Sequence, residues 1–275
     1  MSPAGPRRFR RLLLTGAAGA LGTVLREHLP ALADVLRVSD REPLGPARER
    51  EEVVPCDLGD AAGMRALTRD VDAVVHMGGV SGEAPFADLH HGNILGMYHL
   101  FEGCRENGVG RVVWASSNHA IGFYPRTRTI DATVPQRPDT NYGLTKAFGE
   151  DLAQYYHDKY GIEAVSLRIG SCRDRPIDRR MLATWLSYPD LVHLVERSLL
   201  APAVGHTVVF GVSANHESFW DNRSASALGF RPRDNAEAYR ADIEAATPPV
   251  GPDDPLVRYQ GGQFVAMPHA DDDAT

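Results

Sequence analysis

Leu12-Leu13-Leu14-Thr15-Gly16-Ala17-Ala18-Gly19-Ala20-Leu21-Gly22 is an apolar run that breaks into three evenly spaced glycines. Short runs of this kind form strands buried on both faces, and this one ends where a helix can begin. In such a strand–turn–helix, Gly16 permits the tight turn, Gly19 lets the backbone approach a pyrophosphate, and Gly22 lets helix and strand pack closely. Phosphates would then sit over free N–H groups at a helix start, which makes Gly16, Ala18, Gly19, Ala20, Leu21 and Gly22 the candidate cofactor cradle. The pattern alone serves a plain tight turn equally well, so its surroundings have to decide. Arg7, Arg8, Arg10 and Arg11 mimic the basic end of a secretion signal, but the apolar stretch behind them is too short and ends in glycine.

Outward from the turn, further Val-, Leu- and Ile-rich runs read as strands at 35–39, 52–54, 73–77, 111–115 and 164–168. Helical patterns lie between them at 19–29, 61–68, 93–106 and 142–160, with Asp60 as an N-cap and Gly108 and Gly161 as C-terminal stops. Strand and helix in alternation predict an α/β fold, a Rossmann-type doubly wound parallel sheet. The pattern loosens after residue 170. A helix at 191–200, started by Ser187 and Pro189, and one strand at 207–212 remain. The expected division is a nucleotide-binding core over 8–170, a small C-terminal substrate-binding cap with late sheet elements over 171–250, and a partly disordered Pro-, Gly- and Asp-rich tail over 251–275.

Of 275 residues, 43% are hydrophobic and 24% charged, which is ordinary for a globular protein. The net charge of -7 speaks against nucleic acid, whose phosphates need a basic face. No stretch approaches the roughly 18 consecutive apolar residues of a membrane span. Three widely spaced cysteines, Cys56, Cys104 and Cys172, suit free thiols in a reducing compartment, and a cytoplasmic location is expected. No metal is expected, since His90-His91 has no partner ligands and reads as surface.

Asp40 ends the second strand, where a carboxylate accepts hydrogen bonds from the adenosine ribose and repels the 2′-phosphate of NADP. That selects NAD, although Arg41 beside it is not something NAD specificity predicts. Asp57, before Leu58, either meets the adenine amino group or caps a helix. Tyr142 and Lys146 stand one turn apart on one helical face. A phenol is a poor base at neutral pH, and a nearby ammonium favours its phenolate. Ser117 sits at a strand's C-terminal tip, where such sheets bind substrate, and can hold an oxygen on which charge develops. Ser116 reads as turn capping.

In this order, Gly16-x-x-Gly19-x-x-Gly22, Asp40, Asp57-Leu58, His76-Met77-Gly78-Gly79, Ser117 and Tyr142-x-x-x-Lys146 resemble the extended short-chain dehydrogenase/reductases. Within them, Gly78-Gly79-Val80-Ser81, Ala115-Ser116-Ser117-Asn118-His119 and Arg180-Met181-Leu182-Ala183-Thr184-Trp185 are similar to the uronate dehydrogenases. The resemblance implies NAD-dependent oxidation of glucuronate or galacturonate at C1 to the aldarolactone, a small-molecule uronic acid as partner, and a homo-oligomer paired through the long helices near Tyr142. Tyr142, Lys146 and Ser117 would be catalytic. Leu58 and Gly78 would join Tyr142 and Lys146 in holding cofactor. Arg180 offers a planar fork for the carboxylate, as it would in the resembling family. Arg179 and Arg175 are neighbours that could substitute, with Arg175 read as solvated. Ser81, Asn118 and His119 supply donors and acceptors for the sugar. Ser171 and Cys172 line the nicotinamide pocket or simply pack. The competing reading is an NAD-dependent epimerase or dehydratase acting on a nucleotide sugar, which shares the Ser, Tyr and Lys set. A non-catalytic nucleotide sensor would lack the tyrosine or the lysine.

Overall fold

The computed structural model describes residues 9–272. Its strands are β1 (Phe9–Thr15), β2 (Ala33–Ser39), β3 (Glu51–Val53), β4 (Ala73–His76), β5 (Arg111–Ser117), β6 (Glu163–Ile169), β7 (Ser171–Cys172), β8 (Trp185–Leu186) and β9 (His206–Gly211). Seven form one parallel sheet in the order β3-β2-β1-β4-β5-β6-β9, and β7 pairs with β8 apart from it. The chain winds outward in one direction from β1 and in the other from β4. The crevice beyond the strand tips at that reversal is where such sheets take ligands.

The apolar runs are continuous because both faces of the sheet are covered. The helices are α1 (Ala20–His28), α2 (Ala61–Leu67), α3 (Phe86–Leu89), α4 (Gly96–Asn107), α5 (Asn141–Tyr160), α6 (Met181–Thr184), α7 (Tyr188–Leu200), α8 (Arg240–Ala246) and α9 (Pro255–Arg258). Leu12 and Leu14 of β1 pack with Leu25 of α1 and Leu191 and Leu194 of α7. Leu13, between them, packs on the opposite face with Met64 of α2, Leu100 of α4 and Ala153 of α5. That is the two-residue alternation of a strand carried through a double layer of helices. Each fully buried leucine contributes on the order of 1.5–3 kcal/mol.

Helix ends follow the sequence signals. Asp60 caps α2 through Ala62 N and Gly63 N, Thr140 caps α5 through Gly143 N, and Ser187 caps α7 through Asp190 N. Gly108 and Gly161 close α4 and α5 in the left-handed conformation. Two regions depart from expectation. The helix placed at 93–106 begins earlier, and residues His90–Leu95 form a turn of π-helix ahead of α4. Asn93 there turns inward, accepting from Val80 N at 2.7 Å and donating to Val80 O and Thr145 Oγ1. In the segment read as a partly disordered tail, long-range hydrogen bonds tie Leu256, Arg258, Gln260, Gly261 and Asp271 to Arg126, Tyr124, Gly122 and Phe86. Asp273, part of the acidic end, lies outside the described residues.

Candidate active site

The glycine turn is built as its spacing requires. Gly16 has φ +70°, and a Cβ on it would collide with the backbone of Met77 and Gly78. A Cβ on Gly22 would collide with the Gly16 carbonyl, whereas one on Gly19 would meet that oxygen only at 3.3 Å. Gly19 is the N-cap of α1 and brings no side chain to the helix end. The first N–H groups of α1 are therefore left for a ligand with negative charge, while Ala20, Leu21 and Gly22 form the first helical turn.

A cleft of about 650 Å³ opens in front of this helix end, lined by Gly16, Ala18, Gly19, Asp40, Asp57, Leu58, Gly78 and Ser81 among others. Asp40 accepts from Ala18 N at 3.0 Å and Glu42 N at 3.1 Å, which fixes its carboxylate at the rim. Arg41, which argued for NADP, pairs with Glu42 at 3.5 Å. Asp57 closes a local turn through Gly59 N and stands on the cleft wall, and the helix after it is capped by Asp60 instead. That backbone bond, with a lesser one from His91 at 2.7 Å, holds its carboxyl below the usual range. His91 is exposed, as expected of the His90-His91 pair, but its ring stands on the cleft wall. A helix N-terminus without a side-chain cap, two glycines that admit no Cβ and a fixed carboxylate suit a dinucleotide.

Tyr142, Lys146, Ser117, Asn118, His119 and Arg180 gather in a second, buried cluster where β5 meets the start of α5. Burial pushes the Tyr142 phenol up to about 12, a hydrogen bond with Ser117 pulls it down, and Asp139 pushes it up again. Lys146 donates to Ala115 O at 2.8 Å, with Nζ 5.5 Å from the Tyr142 ring centroid. Burial lowers it to about 8. The ammonium is one turn along the helix, as its spacing dictates, but desolvation dominates the phenol. Ser117 also accepts from His119 N at 3.1 Å, and Ser116 donates to Glu150 at 2.6 Å, a structural contact. Gly78 joins the two halves: with His76, Asn93, Trp114 and Lys146 it lines a space of about 10 Å³, room for one water.

Arg180 stands at the far side of this cluster. It donates to the Gln260 carbonyl through Nε at 3.0 Å and Nη2 at 2.7 Å, and to Ser171 Oγ through Nη1 at 3.3 Å. Asn118 is buried, accepting from Arg180 Nη2 at 2.8 Å and donating to Ile169 O at 3.1 Å. Burial brings the guanidinium down to about 10. Arg179 holds the Thr247 and Glu244 carbonyls and is structural, and Arg175 is exposed. Cys172 is half-buried in β7 and does not line the open cleft.

Four participants escaped the sequence reading. Glu83 accepts from Tyr142 N at 2.8 Å, tying the loop after Ser81 to the helix that carries the phenol. Asp139 accepts from His119 Nδ1 at 2.8 Å. Gln260, fully buried, fixes the returning segment through Trp220 Nε1, Pro125 O and Arg128 O. Phe264 stacks on His119 with centroids 3.8 Å apart and is tilted toward Tyr142 at 6.5 Å. Only Asp139, next to a helix-capping threonine, stood near a recognisable motif.

Known proteins carry the same architecture at close range. The uronate dehydrogenase of Pseudomonas putida is 54% identical over 93% of this chain and 96% of its own. The glucuronic acid dehydrogenase structure from Chromohalobacter salexigens aligns with TM-score 0.94 at 52% identity, over 96% of this chain and 99% of that one. A mutant uronate dehydrogenase from Agrobacterium tumefaciens complexed with NAD aligns with TM-score 0.92 at 50% identity, over 94% and 98%. Residues 12–173, from the first strand past α5, match the profile of the NAD dependent epimerase/dehydratase family. A glycine cradle, a Tyr–Lys helix and a match over more than half of the chain agree: this chain belongs to the NAD dependent epimerase/dehydratase family.

Proposed function

We propose that the chain oxidises uronic acids, glucuronate or galacturonate, at C1 with NAD, releasing the aldarolactone. It is an NAD-dependent oxidoreductase acting on a CH–OH group, and its relatives at 51–54% identity are uronate dehydrogenases. The observation that carries the reading is a guanidinium, Arg180, joined through Asn118 to the Ser117–His119 strip beside a buried phenol. An anion fork next to a candidate base fits a sugar acid.

Gly16, Ala18, Gly19 and the first turn of α1 would hold the pyrophosphate, Asp40 the ribose, and Gly78 with Lys146 the far end of the cofactor. When bound, NAD supplies the acceptor for the hydride that leaves C1. Ser117 and Tyr142 hold the anomeric hydroxyl, and Tyr142, once ionised to the phenolate, takes its proton as general base. Lys146, still protonated below about pH 8, offsets the phenolate charge. Arg180 takes the carboxylate, with one Nη1 hydrogen uncommitted among the described contacts. Ser81 and His119 contact ring hydroxyls, and Cys172 is kept as a packing neighbour of the nicotinamide end.

The reading includes a core over 8–170 with a cap over 171–250. It also includes a homo-oligomer formed through α4 and α5, whose Tyr98, Tyr155 and Tyr160 are exposed. Free thiols favour a cytoplasmic setting. Among the described residues no helix is long and apolar enough to cross a membrane. Absorbance at the NADH band tests the function: glucuronate and galacturonate should reduce free NAD, and neutral hexoses and nucleotide sugars should not. Conversion of a nucleotide sugar without net NADH would replace this reading with the epimerase one.

A further inference from the structure

Asp139 has no part in the reaction scheme above, yet three glycines make room for it. Its side chain is fully buried and accepts His119 Nδ1 on one oxygen at 2.8 Å and the Thr140 hydroxyl on the other at 3.1 Å. Its own N–H donates to the His119 carbonyl at 3.2 Å, so the two residues close a reciprocal pair. Gly122, Gly143 and Gly261 come from three separate segments. A Cβ on Gly122 or Gly261 would collide with the carboxylate. One on Gly143 would collide with the His119 carbonyl and lie 3.2 Å from the second carboxylate oxygen. Taking a carboxylate out of water is costly, and a neutral side chain would fill the same space without that cost. What an acceptor-only carboxylate does is force the imidazole proton onto Nδ1.

An ionised aspartate only accepts hydrogen bonds, so Nδ1 must carry the proton. Burial lowers the His119 pKa against the opposing pull of Asp139 and keeps the ring neutral. In a neutral ring with Nδ1 protonated, Nε2 is a lone-pair acceptor. Phe264 stacked on one face and Tyr142 meeting it edge-on at 5.9 Å between centroids hold the ring plane. Among the described contacts no protein donor takes Nε2.

We propose that Asp139 is a positioning residue: it fixes His119 in the Nδ1-protonated tautomer so that Nε2 accepts a hydrogen bond from a ring hydroxyl of the uronate beside Tyr142. This rests on the reading of the cluster as a uronate site.

The tautomer is read by two-bond 1H–15N correlation on protein with 15N-labelled histidine, with His119→Gln used for assignment. The wild type should show the Nδ1–H pattern, and Asp139→Asn, whose amide donates to Nδ1, should switch it to Nε2–H. In the same variant KM for glucuronate should rise about tenfold while kcat stays within about threefold and NAD affinity is unchanged, the signature of lost uniform binding. An Nε2-protonated or doubly protonated ring in the wild type overturns the proposal. So does an unchanged KM once the tautomer has switched, or a fall in kcat as large as the rise in KM. If Asp139→Asn does not fold, Gly261→Ala, whose Cβ intrudes on the carboxylate, is measured for the same KM-against-kcat split. A wild type that reduces no NAD with uronates would sink the functional reading and leave the tautomer result standing.

Discussion

The open cleft before α1 and the buried cluster around Tyr142 share a border at Gly78 and Lys146 and are made of opposite materials. The cleft is largely backbone: glycines, an uncapped helix start and one carboxylate held by N–H groups, open over about 650 Å³. The cluster is side chains delivered by the tip of β5, the start of α5, the loop before α6 and the segment after residue 259, with most of its polar groups already partnered and His119 Nε2 left open among the described contacts. A ligand can enter the first without rearrangement. In the second, a carboxylate reaching Arg180 must share it with the Gln260 carbonyl or displace that oxygen. Binding in one half is addition, and in the other it is exchange.

The contrast is tested most severely by Tyr142→Phe. General-base removal should lower kcat by about 10³-fold while NAD binding, followed by NADH fluorescence, stays as it was. Loss of cofactor affinity as well would erase the boundary between the halves. Next in size, Arg180→Ala should lower kcat/KM for galacturonate by about 10²-fold or more, because a charged partner of the carboxylate is gone. The same assay on a neutral pyranose should change far less. Asp40→Ser, on the opposite side, should weaken NAD about tenfold and narrow the preference over NADP, with the uronate KM unmoved.

The smallest expected effect lies on the border. Lys146 has a folded pKa of about 8 against an ordinary 10.5, so between those values the unfolded chain binds more protons than the folded one. Stability of the wild type should therefore rise with pH from about 8 toward 10 and carry its full burial cost below 8. Lys146→Met should be inactive, lack that rise, and melt about 2–4 °C higher at pH 7, for a gain of roughly 1 kcal/mol. A lower Tm would show that the bond to the Ala115 carbonyl outweighs desolvation.

The same contrast explains what could be read from the chain. The fold and the cleft were legible because their signals are local: apolar runs with glycines directly behind, and a carboxylate at the next strand tip. Tyr142 and Lys146 were legible because one helical turn guarantees that they are neighbours. Their energetics were not, because the effect that dominates the phenol is burial, and burial depends on segments far away in sequence. Asn93, within a helical pattern, carried no mark of the π-turn that lets it hold Val80. Nothing connects Gly261 with Asp139, or Gln260 with Arg180, until the chain has returned across the sheet. The Pro- and Gly-rich composition that suggested a loose tail is instead what lets that segment turn tightly, with Gly262 at φ +63° against the Arg180 side chain.

That returning segment is fastened without being founded. No buried apolar cluster includes a described residue beyond Ile243, so residues 259–272 add almost nothing to the interior that keeps the sheet folded. They hang on a few attachments: Gln260 at one end, the Phe264 ring stacked on His119 in the middle, and the Asp271 carboxylate accepting from Phe86 N at the other end. Such a strip detaches at a free-energy cost well below that of global unfolding. A protease nick near residue 250 would thus leave a cooperatively melting body that has lost one wall of the Arg180–His119 cluster, so damage in storage would show as failing turnover before any change in melting temperature.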